Sequence, residues 1–568
     1  MIDQFRSVEK FTKGEAYFIE PFFTNLDKNV FAAKYLPSEV LGALASRYSR
    51  STKGVRRLFF DEYIKPILEP NLQGSDPRSA REAEIMRKEL VGFVDYLHEH
   101  GGWESVVNSK RARDFFAKWL AAYGDDSIAQ MAGAHVFFEN ISQVAVKTLE
   151  DFRIGFAPLE KSTRYVAFDQ KVGGHWLYYP EPDLVKSKFG SVYKNHMNML
   201  FVRYANTFPN LFNRFKKIYP KEKDQSDRAY ASTINAKTCD VLRLYLPAST
   251  LTNVGFFGVG QAFEYVITKC LASPLVEVRD LVRAAQKELN MVIPSMVGRA
   301  TSKRGREYQG YVRSTEKELE RISRKVSEVN QAKVSQEVRP VELVEWDRDA
   351  EDRIVASLLY KYSTAGYKSI KYQVSSMTAK QKADIIRKAV LGRKVRQHRL
   401  VRAFENTYYK FDIVANFGAY RDLHRHRMLT QERQRLTTKL GFDVPSELKG
   451  KMLADYIDAA QKTDKLYRKV SEDMPDQAQY VVMLGNKVRW YQWENLRELG
   501  WEAELRTGPQ GHPDYRKIEQ EKVRQVAKIH PALVQALKFV DFSEYDLARR
   551  ESEKRIDSKL GLRLSLLR

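Results

Sequence analysis

The feature that most restricts how this chain can fold is a distant internal repeat. "LPSEVLGALASRYSRS" at 36–51 is echoed by "DAEDRIVASLLYKYSTA" at 349–365, and both read as amphipathic helices that end in an aromatic, basic, serine-containing turn. An aromatic stretch and then an arginine follow in each half. These are "FFENISQVAVKTLEDFRIGFAPLEKSTRYVAFD" at 137–169 and "YYKFDIVANFGAYRDLHRHRMLTQERQRLTTKLGFD" at 408–443, with Arg153 answering to Arg427. The expected organisation is a first repeat over 1–300, a charged helical linker over 301–340 and a second repeat over 341–568. Within the linker, Thr315 and Glu318 have capping-box spacing, and Leu319, Ile322, Val326 and Val329 form a helical stripe.

Composition sets the class of ligand. The 568 residues are 43% hydrophobic and 29% charged, an ordinary globular balance that excludes a disordered chain. Lysine and arginine number 95 against 72 acidic residues, a net charge of +23, so the surface attracts phosphates, carboxylates or nucleic acid. Cys239 and Cys270 are too few for a disulfide framework or a thiolate metal site. The opening "MIDQFRSVEKFTKGEAYF" lacks the apolar core of a signal peptide, and no run of 18 apolar residues exists to span a bilayer. The expectation is a cytoplasmic protein with no membrane partner.

The densest chemistry lies at "RDLHRHRM", residues 421–428. An isolated Arg-His-Arg is most cheaply read as solvated charge, and a metal site at His424 and His426 is disfavoured because neighbouring arginines repel a cation. Other polar motifs are distributed unevenly between the halves. The first half holds "STRY" at 162–165 with Glu160 just ahead, and "RLYLP" at 243–247, where the second half offers "LTTKL" and "QYVVML". The second half holds "ENLRELGWEAELRTG" at 494–508, where the first places Val259, Gln261 and Cys270 at the corresponding polar positions. Trp490, Tyr491 and Trp493 are read as core residues rather than a stacking platform.

At these residues the chain resembles the flavin-dependent thymidylate synthases. That family carries an Arg-His-Arg triplet followed after seven or eight residues by Ser-x-Arg-Tyr, an earlier Gly-His-x-Ser-x-x-Glu-His, an Arg-x-x-Leu-Pro and a later Asn-x-Arg-x-Leu with Leu-Arg. The resemblance implies an α+β fold of two tandem synthase-like copies joined by the helical linker. Each motif survives in one copy where it is degraded in the other, so composite sites shared between the repeats are expected. The implied activity is methylation of dUMP to dTMP with FAD as cofactor, NADPH as reductant and methylenetetrahydrofolate as methylene donor. The implied assembly is a homodimer mimicking the family's homotetramer.

By the same resemblance Arg425, His426 and Arg427 hold the flavin, joined by Asn495, Arg497 and Ser127. Glu160, Ser162, Thr163, Arg164, Arg243 and Arg425 serve the nucleotide, and Arg506 is the catalytic cation that stabilises negative charge on the pyrimidine. The chain departs from the family at "GDDSIAQM", where Ser127 stays but Asp125, Gln130 and Met131 intrude, at the loose "GRKVRQHR" of 392–399, and at Asp422, which stands where a glutamine is usual and is expected to sit badly beside a phosphate. A diverged homologue that binds flavin or nucleotide with altered or lost activity is the alternative reading. A basic nucleic-acid-binding protein ranks lower, because no nucleic-acid motif accompanies the charge.

Overall fold

Each half of the chain builds a four-stranded antiparallel sheet, and the two sheets have the same strand order. β1 (Val30–Ala32), β2 (Gly133–Ser142), β3 (Phe156–Glu160) and β4 (Leu251–Val259) assemble as β1-β2-β4-β3; β5 (Val341–Trp346), β6 (Tyr408–Asn416), β7 (Thr430–Arg433) and β8 (Lys487–Asn495) assemble as β5-β6-β8-β7. The computed structural model describes residues 9–70, 77–101, 128–330, 339–547 and 549–566. The architecture is mixed α+β, as expected from the sequence.

Details below the level of topology repeat as well. β2 and β6 each run into a helix, Gln143–Glu150 and Phe417–Leu423, capped by Ser142 and Asn416, whose side-chain oxygens accept from Ala145 N and Ala419 N. Each cap residue also donates to an acid in the first turn of a later helix. Ser142 Oγ reaches Glu277 at 2.6 Å, at the start of Val276–Leu289, and Asn416 Nδ2 reaches Asp514 at 2.7 Å, at the start of Pro513–Ile529. Arg153 lies three residues ahead of β3 and Arg427 three ahead of β7, the correspondence read from the sequence.

Two compact units partition the chain: residues 1–197 with 248–334, and residues 198–247 with 335–568. The first unit packs its core from Phe22, Phe23, Phe31, Phe59, Phe60 and Phe137, with the guanidinium of buried Arg56 3.7 Å from the Phe31 ring centroid and 3.6 Å from Glu139. β2 breaks register between Phe138 and Ile141, and Asn140 there takes φ +55°, a left-handed value that asparagine tolerates better than most residues.

The second unit draws a segment from the first half of the sequence. The helix Asp227–Leu242 and the turn Arg243–Tyr245 are held there by Lys237–Glu447 at 2.8 Å and Arg549–Asp240 at 3.4 Å. Leu484 N donates to Leu246 O at 2.8 Å, Gly485 N to Leu244 O at 3.1 Å, and Pro247 bridges Met483 antiparallel. "RLYLP" therefore pairs with the end of its repeat counterpart "QYVVML" and the glycine that follows.

The charged stretch near 300 is the helix Lys303–Asn330 and belongs to the first unit. Thr315 does not cap it. The helix begins twelve residues earlier, where Ser302 Oγ accepts from Gly305 N, so Thr315 and Glu318 sit in its interior. Leu319, Ile322 and Val326 lie exposed along it. Trp490 is core and Tyr491 partly buried, but Trp493 is 45% exposed and lies against Tyr408 at 4.9 Å; alternation along β8 turns odd positions outward.

Asn416 caps one element and donates to Asp514 and Asp443 on two others. Asn416→Ala is expected to lower unfolding free energy in urea by about 2–3 kcal/mol, from the lost cap and two carboxylates left short of donors.

Candidate functional site

The triplet occupies the turn between the helix Phe417–Leu423 and β7, with its backbone pinned by Gln431, whose Nε2 donates to His424 O at 2.9 Å and His426 O at 3.3 Å. This fixes the alternation of its side chains. Arg425 and Arg427 are exposed, and His426 between them is buried.

His426 is held by a neighbouring helix. Glu498, Glu502 and Arg506 follow one another at four-residue spacing along Leu496–Arg506 and so share a face. Arg506 Nε donates to His426 Nε2 at 2.8 Å, so that nitrogen is the acceptor and the ring proton resides on Nδ1, facing Glu498 Oε1 at 3.3 Å. Glu502 lies 3.8 Å from His426 Nε2, and Arg506 stands 5.8 Å from the Tyr515 ring. Burial, reinforced by Arg425, pushes the Arg506 guanidinium below its usual range.

Behind this face is a buried ion cluster. Lys522 Nζ, with no solvent exposure, lies 2.6 Å from Glu494, 3.3 Å from Glu502, 3.2 Å from Glu519 and 2.8 Å from Gln492 Oε1. Gln492 and Glu494 are there because the even positions of β8 face inward. One ammonium cannot balance three buried carboxylates, so protons make up the difference. Burial drives Glu494 well above the carboxylate range, and burial together with Glu502 pushes Glu519 up to about 8. Burial raises Glu502 too, but neighbouring positive charge, that of Lys522 and Arg506 included, outweighs it and holds that carboxyl low.

Asp422 ties a further cation to the triplet. One of its oxygens is 3.0 Å from Arg243 Nη1 and the other 3.4 Å from Arg425 Nη2. Arg243 is 1% exposed, and its Nε and Nη2 have no hydrogen-bond partner among the described residues. A Cβ at Gly418 would stand 3.2 Å from Arg243 Nε, so glycine lets the guanidinium pack against this helix.

The second unit therefore brings together Arg243, Arg425, His426 and Arg506, with Arg427 beside them in the chain. Arg497 makes its hydrogen bonds elsewhere, to Leu400 O at 2.8 Å and Glu405 at 2.6 Å, because its helix position faces that turn rather than the triplet. The Asn495 side-chain oxygen caps the helix by accepting from Glu498 N at 2.9 Å.

In the first unit Glu160 closes β3, and Ser162, Thr163 and Arg164 follow it. Glu160 is buried and paired with Lys147 at 2.9 Å, Ser162 Oγ accepts from Arg164 N at 3.2 Å, and Ser162 N donates to Ser49 O at 3.1 Å. Thr163 and Arg164 are also buried. Gln130 Nε2 donates to Gln261 at 2.9 Å, which joins two of the positions where family residues are replaced. Cys270, the counterpart of Arg506, is a buried thiol pushed up by desolvation. Ser127 lies outside the described residues.

Sequence reading missed Glu494, Glu498, Glu502, Glu519 and Lys522. The four-residue spacing of Glu498, Glu502 and Arg506 was a usable signal. Nothing local marks Lys522 as buried, since its helix carries lysine and arginine on other faces.

The thymidylate synthase complementing protein family, Thy1, matches residues 79–295 and 342–532, which contain β2–β4 and β6–β8. The chain belongs to this family. The resemblance to flavin-dependent thymidylate synthases thus holds at the level of family, and the Thy1 match in two segments accords with two related halves. The chain is similar to UPF0159 proteins of three organisms. It is 38% identical over 548 residues to that of Chlamydia muridarum (strain MoPn / Nigg), covering 96% of this chain and 98% of the relative. The Chlamydia pneumoniae protein is 38% identical over 553 residues, covering 96% and 98%. The Thermoplasma acidophilum protein is 31% identical over 481 residues, covering 80% and 94%. Among solved structures, the UMP/dUMP methylase PolB from Streptomyces cacaoi, bound with 5-Br dUMP, is 17% identical, covers 34% of this chain and 93% of its own, and superposes with a TM-score of 0.27.

Breaking the buried cluster should be costly. Lys522→Met leaves the carboxylates without their cation and is expected to destabilise the protein by about 3–5 kcal/mol in urea unfolding. Glu519 keeps its proton in the folded state up to about pH 8, whereas an unfolded glutamate loses it near pH ~4.3. Its contribution to stability is whole at low pH and is lost as pH rises through that window. The unfolding free energy of the wild type relative to Glu519→Gln is expected to fall between pH 5 and 8, by at most about 1.4 kcal/mol per unit.

Proposed function

We propose that this protein is a flavin-dependent thymidylate synthase that methylates dUMP to dTMP at composite sites. The observation that carries the proposal is the cation cluster of the second unit, where Arg243 from the first half of the sequence meets Asp422 and Arg425 from the second, beside His426 and Arg506. Its donors suit anionic ligands: exposed guanidiniums at Arg425 and Arg427, and two guanidinium nitrogens of buried Arg243 with no hydrogen-bond partner among the described residues. FAD held there and reduced by NADPH would supply the hydride, with methylenetetrahydrofolate giving the one-carbon unit.

The protein's share is binding and electrostatics. Arg425, His426 and Arg427, with Asn495, Arg497 and Ser127 of the same motifs, are assigned to the flavin; Glu160, Ser162, Thr163, Arg164, Arg243 and Arg425 are assigned to the nucleotide. Arg506 is assigned to the pyrimidine. Its Nε is anchored on His426, which leaves the two terminal nitrogens to meet charge developing on a bound ring. A homodimer of the duplicated chain would present four domain copies, as the family's assembly does.

One observation favours the second reading, a homologue that binds flavin or nucleotide with altered or lost activity. Asp422 already engages Arg243 and Arg425, and an incoming phosphate competes with it. The absorbance spectrum of the purified protein and tritium release from labelled dUMP separate the cases. Bound flavin with tritium release is expected; bound flavin without release selects the second reading, and failure to take up any flavin rejects the first. Arg506→Ala is expected to cut tritium release by about 10²- to 10³-fold while flavin stays bound. Asp422→Asn is expected to tighten nucleotide or flavin binding about tenfold in a fluorescence titration.

A further inference from the structure

The excess positive charge is not spread evenly. Residues 353–404 contain thirteen lysines and arginines against one acid, Asp384, and so hold about half of the chain's net charge of +23. The helices Ala350–Tyr360, Tyr367–Ser375 and Ala379–Ala389 carry most of this stretch.

Its surface combines that charge with exposed aromatic rings, the Lys361 ammonium lying 5.4 Å from the Tyr362 ring centroid. Tyr362 is 84% exposed, Tyr372 79% and Tyr360 50%, and the Tyr360 and Tyr367 rings meet edge-on at 6.0 Å. Ile370 and Val374 anchor the second helix inward, which leaves Lys368 and Tyr372, one turn apart, on its outer face. Lys361, Lys368 and Lys380 are exposed and form no ion pair among the described residues, whereas Lys371 and Lys382 are neutralised by Asp349 and Asp352.

We propose that this face binds single-stranded nucleic acid, with Lys361, Lys368 and Lys380 meeting phosphates and Tyr362 and Tyr372 stacking on bases. Cations without ion pairs among the described residues, interleaved with exposed rings, are what a flexible polyanion with flat bases requires. A second copy of this chain is a poor occupant, because two such faces brought together would repel. A smooth polyanion would use the lysines and leave the tyrosines idle. The inference does not depend on the proposed synthase activity, since none of these residues belongs to that site.

The test uses the full chain and a fluorescein-labelled 20-nucleotide oligo-dT in anisotropy titrations from 50 to 300 mM salt. Micromolar binding that weakens steeply with salt is expected. The Lys361→Glu/Lys368→Glu/Lys380→Glu triple variant should lose binding at 150 mM salt, with the log–log salt slope reduced by about 2. Tyr362→Ala and Tyr372→Ala should each weaken binding about tenfold with the slope unchanged. The proposal is overturned if no binding occurs at 50 mM salt, if the lysine variant binds as well as the wild type, or if the tyrosine variants bind normally while heparin competes as well as oligo-dT. It is equally overturned if the tyrosine variants dissociate an oligomer in light scattering and the wild type binds no oligonucleotide. Circular dichroism and tritium release unchanged in the variants show that folding and the proposed active site are intact.

Discussion

The candidate site is organised around Lys522. A lone ammonium with no solvent exposure is tolerable only if carboxylates surround it, and those it recruits come from three elements: Glu494 on β8, Glu502 on the helix that follows β8, and Glu519 one turn ahead on its own helix. The cluster therefore fixes the rotation of Leu496–Arg506. With that helix set, Glu498 and Glu502 hold the His426 ring, and Arg506, one turn beyond Glu502, reaches the imidazole. The exposed arginines of the triplet stand on a buried histidine whose tautomer is dictated by charges further inside.

The two halves share what holds the fold and differ in what could carry chemistry. Both halves keep the strand order, the cap after the second strand and the carboxylate that the cap binds, since these hold each sheet to its helices. The polar equipment is what diverges. The counterpart of Arg506 is a buried thiol at Cys270, and the counterpart of Arg243 is Gln479, whose amide oxygen accepts from Leu436 N. Arg243 nonetheless serves the second unit, because the segment that carries it crosses over and pairs with its own repeat counterpart. A cation from one half of the sequence thus pairs with an acid, Asp422, from the other.

Much of this was legible along the chain. The repeat, the mixed α+β class, the equivalence of Arg153 with Arg427 and the motifs around Arg425, Asn495 and Arg506 could all be read in order, because each depends on neighbours within a few residues. The capping-box reading at Thr315 failed because a cap is set by where a helix starts, and Ser302 supplied an earlier start. Arg497 was assigned by motif position alone, while its side chain is committed to Glu405, 92 residues upstream.

The sequence by itself determined the family, the two-part organisation, the periodic patterns that make strands and helices, and which half retained which motif, since all are carried by residue type and spacing. Only the tertiary structure decided which charges meet. The Lys522 cluster, the Asp422 bridge between Arg243 and Arg425, and the seating of Arg506 on His426 join residues 3 to 179 positions apart in the chain. Their energies depend on distance and burial, and neither quantity is encoded by local pattern.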